Sequence, residues 1–186
     1  MVDDSENFTD ELRKLIFEPH KIKNTNKFAS LLTELNYGGL INPLLEKISM
    51  ADKTDIWLSD FLYAVSNLLA ESSSDITYKC PKNLISKLED WLINHTGELA
   101  WKAAILLKFY ESDAAAKIQL KKLEERGDFF LTYVECIRGL LHYDYDKHIE
   151  LVKQIANDET RDERLREYCR EEINTHLSGT STGKPN

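Results

Sequence analysis

Three cysteines, five histidines and thirty-two carboxylates are the side chains of this 186-residue chain best equipped for chemistry. Their spacing argues against most of it. Cys80, Cys136 and Cys169 are far apart and odd in number, which fits reduced thiols rather than a disulfide framework. Cys136 and Cys169 fall on or near apolar helix faces, where a thiol is usually an inert small hydrophobe, while Cys80 sits in a polar connection. His20, His95, His142, His148 and His176 form no zinc-finger or HExxH spacing with one another or with cysteine. The stretch HYDYDKH, His142 to His148, is the one local concentration of ligand-type side chains. A hard cation needs several oxygens fixed around one point; Asp144 and Asp146 do not supply them, and no EF-hand glycine or closing Glu follows. No nucleophile elbow, P-loop or dinucleotide fingerprint is present. Carboxylate pairs such as Glu124-Glu125 and Asp158-Glu159 read as solvated faces of helices. The expectation is a chain that is not an enzyme, with no catalytic residue, no metal and no cofactor.

Charge bounds the partners. The net charge is −8 and the pI about 5.2. A phosphate backbone is met by clustered Lys and Arg, so nucleic acid is not the expected partner. A basic protein is, or else the charge serves only solubility. No apolar run approaches the ~20 residues that span a bilayer. The opening MVDDSENFTDEL is acidic and polar, unlike a secretory or transit segment. A cytoplasmic protein is expected, without membrane contact and monomeric.

The elements that would position any site are helices. Glycine (7) and proline (4) are scarce, and apolar residues recur at helical spacing. Thr9 or Asp10 would cap a first short helix after a frayed 1–7, and Thr25 a second that Tyr37-Gly38-Gly39 stops. Asn42-Pro43 would open a third. From Asp55 to Glu71, Trp57, Phe61, Ala64, Val65 and Leu68 form one stripe. SSSDITYKCPK reads as a loop, Pro81 starts the next helix and Gly97 ends it. Expected core residues are Trp57, Phe61, Leu88, Trp91, Trp101, Phe109, Ile137 and Leu140.

Two copies of one pattern follow, 98–128 and 129–159. Each is an apolar helix, an Asp-containing turn and a more polar helix; laid without a gap, Ala103 falls on Val134, Leu106 on Ile137 and Asp113 on Asp144. A helix over 160–177 with one densely charged face would cap them, and 178–186 reads as a disordered tail. Such a period is the signature of a stacked solenoid. The helix-pair period and the Leu/Ala/Val stripes resemble HEAT-like repeat proteins, although the unit is shorter than the ~40 residues typical of them. That resemblance implies an all-α fold of about ten helices in antiparallel pairs, a single-domain solenoid over 1–177. In size, acidity and lack of catalytic motif the chain is also similar to small bacterial immunity proteins, which bind and mask a toxin, often a basic nuclease. That implies a non-enzymatic binding module that neutralises such a toxin. A helical-repeat enzyme acting on nucleic acid, of the DNA-repair glycosylase type, and a generic scaffold subunit are the alternatives.

Stacking would align the turns of the two copies along one edge. The residues expected to hold a basic partner are therefore Glu111, Asp113, Tyr143, Asp144, Tyr145 and Asp146: carboxylates steer, and tyrosines add contact area. The turns at 124–128 and 158–163 would form the opposite edge.

Overall fold

A computed structural model describes residues 4–72 and 78–180. Among them are ten α-helices and no strand: α1 Asp4–Phe17, α2 Thr25–Leu35, α3 Ile41–Met50, α4 Leu58–Glu71, α5 Leu84–Ile93, α6 Glu98–Leu107, α7 Asp113–Glu124, α8 Phe130–Tyr143, α9 Tyr145–Asn157 and α10 Glu163–Thr180. The chain is all-helical, as the apolar spacing requires. Pro19, Pro43 and Pro81 stand before or in the first turn of an element, where a missing N–H costs nothing. Among the described residues no helix is long and apolar enough to cross a membrane.

The helices gather into two compact units, Met1–Trp91 and Leu92–Asn186. In the first, α4 packs against α2 and α3, and α1 against α3. Phe61 is fully buried, its ring 5.0 Å from Trp57 and 6.2 Å from Phe28. The Thr25 hydroxyl donates to the Asp60 carboxylate at 2.6 Å and so ties α2 to α4.

In the second, α8 is the common neighbour: α6, α7, α9 and α10 all pack on it. The close approach comes from small residues. Ala100, Ala103 and Ala104 of α6 are completely buried, and Gly139 of α8 lies under Gln119 of α7, where a Cβ would stand 2.1 Å from the amide nitrogen. Without side chains to hold them apart, backbones approach and bury more of their neighbours.

Several local expectations are corrected. Nothing in 4–8 breaks a helix, and α1 begins at Asp4 rather than near Thr9 or Asp10. Asn24, not Thr25, caps α2, its side chain accepting from the Lys27 N–H at 2.9 Å. Asn36 ends that helix in the left-handed region (φ 44°), ahead of the glycines. Asn42 lies inside α3 and accepts from the Lys79 N–H at 2.8 Å. Helix α4 begins at Leu58, α5 at Leu84 and α10 at Glu163, each a few residues later than expected. Gly97 (φ 72°) does not end α5; it stands immediately before α6. Helix α10 continues through Thr180, where a tail was expected from Ser178. The rest of that tail (181–186), residues 1–3 and the loop stretch 73–77 lie outside the described residues.

Six of the eight expected core residues are buried: Trp57, Phe61, Leu88, Trp91, Ile137 and Leu140. Trp101 and Phe109 are half-buried instead. The alanine face of α6 takes the inner position, leaving Trp101 against the exposed Phe129, edge to face at 5.9 Å. Phe109 lies beyond the end of α6, so the helical stripe does not reach it.

Candidate functional site

Both edges of the repeat pair can be built from its turns. After α6 the chain turns through Glu111, and Ser112 caps α7 by accepting from the Ala115 N–H at 3.2 Å. After α8, Asp144 caps α9 by accepting from the Lys147 N–H at 3.1 Å. These turns meet. His142 Nδ1 lies 3.3 Å from Glu111 Oε1, the Tyr143 hydroxyl donates to Asp113 Oδ1 at 3.0 Å, and Lys147 Nζ is 3.8 Å from the same carboxylate. The hydrogen bond to Asp113 raises the Tyr143 pKa, and burial adds to it.

Of the six expected residues, Glu111, Asp113, Asp144 and Asp146 are exposed, while Tyr143 and Tyr145 are half-buried. Glu111, Asp113 and Tyr143 are drawn together directly, and Asp144 and Tyr145 carry the same edge into α9. His142 and Lys147 were not anticipated there. For His142 the signal was present in the equal offset between the copies, which puts it opposite Glu111; for Lys147 the offset carried none.

The opposite edge is differently made. Lys122 is fully buried at the end of α7 and pairs with Asp128 at 2.8 Å and Glu125 at 2.7 Å. Asp128 also accepts from the N–H groups of Gly97 at 2.9 Å and Phe129 at 2.6 Å. It thereby joins the start of α6, the end of α7 and the start of α8. Burial works to raise the Asp128 pKa, but the hydrogen bonds from Lys122 and the two amides outweigh it and hold the carboxyl below its ordinary value. For Lys122, burial works to lower the pKa, and the bonds to Asp128 and Glu125 turn the net shift upward.

Around this pair, Arg161 donates to the carbonyl oxygens of Leu123 and Glu125. Those are orphan acceptors at a helix end, and the Arg161 guanidinium also lies over the Tyr133 ring. Arg126 reaches Asp158 at 3.2 Å. Arg170 donates to Ala156 O at the end of α9. Lys122, Asp128, Arg126, Asp158 and Arg161 of this edge are engaged in joining helices and their turns.

A third group sits on α8. Glu135, itself buried, accepts from Lys108 and Arg138 at 2.8 Å each, and Arg138 Nε donates to the Tyr168 hydroxyl at 3.3 Å. The cysteines are where expected. Cys136 and Cys169 are buried and Cys80 exposed; burial pushes the Cys136 thiol well up and that of Cys169 to about 12. The HYDYDKH stretch does not converge, since His142 is exposed toward Glu111 whereas His148 is buried. Among the described residues no three His, Cys, Asp or Glu side chains are grouped to hold a metal ion.

The first unit contains a groove of about 560 Å³ lined by Phe8, Leu12, Arg13, Leu35 and Tyr37. The Tyr37 ring rests on Gly39, where a Cβ would come within 2.5 Å of it. Sequence reasoning did not find this groove, because α1 and the end of α2 come together only in the folded unit.

These sites belong to an all-helical protein whose second unit includes the helix pairs α6–α7 and α8–α9. Comparison of the chain with protein-family models, with curated proteins and with solved structures finds no match.

Proposed function

We propose that this chain is a non-enzymatic binding module, and that the edge formed by Glu111, Asp113, Tyr143, Asp144, Tyr145 and Asp146 covers a basic protein partner. The observation that carries the reading is the contrast between the two edges. On the second, the Asp128 carboxylate side chain is 3% exposed and locked to Lys122. On the first, the carboxylates of Glu111 and Asp113 remain 58% and 86% exposed although His142 and Lys147 stand beside them. Carboxylates held on capped helix starts keep their spacing with little further ordering cost on binding, so they can match fixed Lys or Arg positions. Tyr143 and Tyr145 add contact area with few rotamers to freeze.

The most concrete form of the reading is a cytosolic bacterial immunity protein that masks a nuclease-type toxin, acting as a monomer on a HEAT-like solenoid. A helical-repeat enzyme acting on nucleic acid remains the alternative, and a generic scaffold subunit the broadest one.

The test is titration calorimetry against the product of the adjoining gene at two salt concentrations, using Glu111→Lys together with Asp146→Lys. The expected result is a loss of at least ~2 kcal/mol in affinity, because charges that become desolvated pairs are costly to reverse. Asp144 is better replaced by Asn. Charge reversal there removes the cap of α9, which costs about 0.5–2 kcal/mol of stability, whereas Asn caps as well. Unchanged affinity in the doubly reversed chain would shift the contact to the 124–128 and 158–163 turns. No binding by any adjoining product would remove the immunity reading.

A further inference from the structure

One buried titratable group takes no part in either edge. His148 follows the N-cap residue Asp144 by one turn of α9. It is 4% exposed, and its Nε2 is shielded from solvent without a hydrogen-bond partner. A neutral imidazole tolerates this by leaving that nitrogen unprotonated. An imidazolium carries a proton on both nitrogens and needs an acceptor for each. Without one, the charge is buried unpaired, and it stands near the positive end of the α9 dipole.

The surrounding charges do not compensate. Those acting on His148 are Lys147, which opposes protonation, and Asp144, which favours it; Asp144 is already accepting from the Lys147 N–H. On α8, Glu135 is held by Lys108 and Arg138, and the Tyr143 hydroxyl by Asp113. On α10, Glu172 bears on Tyr145 and Tyr168, Arg170 is bonded to Ala156 O, and the buried Cys169 thiol remains neutral.

From this geometry we infer that the start of α9 is an acid-released element: a proton on His148 unseats the first turn of the helix, which carries Tyr145 and Asp146. Burial first, then Lys147, lowers the His148 pKa below its ordinary value. The sign follows. The unfolded imidazole takes its proton at about pH 6.5, while the folded one resists it. The stabilisation is complete above that value and declines as pH falls through it toward the folded pKa. One proton changes the opening equilibrium by at most about tenfold per pH unit.

Hydrogen exchange of the full chain, read peptide by peptide at about pH 7.5 and about pH 5.5 and corrected for intrinsic rates, tests this in the window around the imidazole value. Protection of residues 145–149 should fall in acid by up to about tenfold per pH unit while residues 133–140 of α8 keep theirs. In the His148→Phe chain, which keeps a ring but has no proton to gain, the acid loss at 145–149 should vanish. An equal loss in both chains overturns the inference. If the Phe variant does not fold, the imidazole of the unmodified chain is titrated by NMR beside that of the exposed His20. A His148 midpoint below that of His20 supports the inference, and one equal to or above it overturns it.

Discussion

Lys122 shows what a single charge needs in order to stay inside. Its ammonium has two carboxylates within 2.8 Å, and one of them, Asp128, is itself almost fully buried and fixed by two backbone amides. Removing one member leaves the other charged and shielded, which costs about 3–5 kcal/mol; replacing both removes the ions together and costs far less. Urea unfolding of Lys122→Met, Asp128→Asn and the double variant measures this. Each single change should lower stability by roughly 3 kcal/mol, and the double variant should lose clearly less than the sum. Strict additivity would mean the two are not coupled. The same reasoning predicts that Trp101 contributes less than its size suggests. It is only half-buried, its indole Nε1 lacks a partner, and its truncation should fall below the ~3–5 kcal/mol of a fully enclosed aromatic.

Contacts between elements depend on what is missing as much as on what is present. Helices α7 and α8 meet where Gly139 leaves room for the Gln119 amide, whose side chain is buried in the gap. Alanine is better than glycine inside a helix by about 1 kcal/mol, so a mid-helix glycine needs a packing reason. Gln119 is 2% exposed, so its amide can move away only by displacing its neighbours. Gly139→Ala should therefore lower stability, by about 1–3 kcal/mol as for other overpacked sites, despite its better propensity. Combining it with Gln119→Ala should recover most of that loss. A thermal melt in which Gly139→Ala alone is stabilised would show that Gln119 has somewhere else to go. The caps behave differently, because they are local: Asn24, Ser112 and Asp144 each bond an amide three residues ahead.

Over the whole chain, the titrating carboxyls predict a fold that weakens in acid. Several carboxyls are held below their ordinary pKa by the folded structure: Asp128 by Lys122 and two amides against the opposing effect of burial, Asp158 by the Thr160 hydroxyl and amide, and Asp162 by Arg164. A depressed carboxyl stabilises the fold fully above its unfolded value, about 3.9, and loses that contribution as pH falls through the folded value. Helical circular dichroism followed against pH should thus collapse below about pH 4. In Lys122→Met, where Asp128 has lost the ammonium that depresses its pKa, the part of the acid loss that Asp128 contributes should disappear, so stability should fall less steeply with pH below about pH 4. Identical slopes in the two chains would place the sensitive carboxyl elsewhere.

The sequence by itself determined what depends on residues near one another along the chain. Helical spacing of Trp57, Phe61 and Leu68 specified α4, and the scarcity of glycine and proline specified an all-helical chain. The fixed offset between the copies placed Glu111 opposite His142 and Asp113 opposite Asp144, so the acidic turns were legible as one edge, while the bonds that His142 and Lys147 make there were not. Only tertiary structure decided which of many similar carboxylates lies inside. Asp128 is one more acidic turn residue until Gly97, Lys122 and Phe129, which arrive from three helices, surround it. It also decided that the alanines of α6 face inward and Trp101 does not. Periodicity shows that a helix has an apolar face. Which of two apolar faces is covered depends on the shape of the neighbour, and a glycine or alanine face wins where it lets that neighbour come closest.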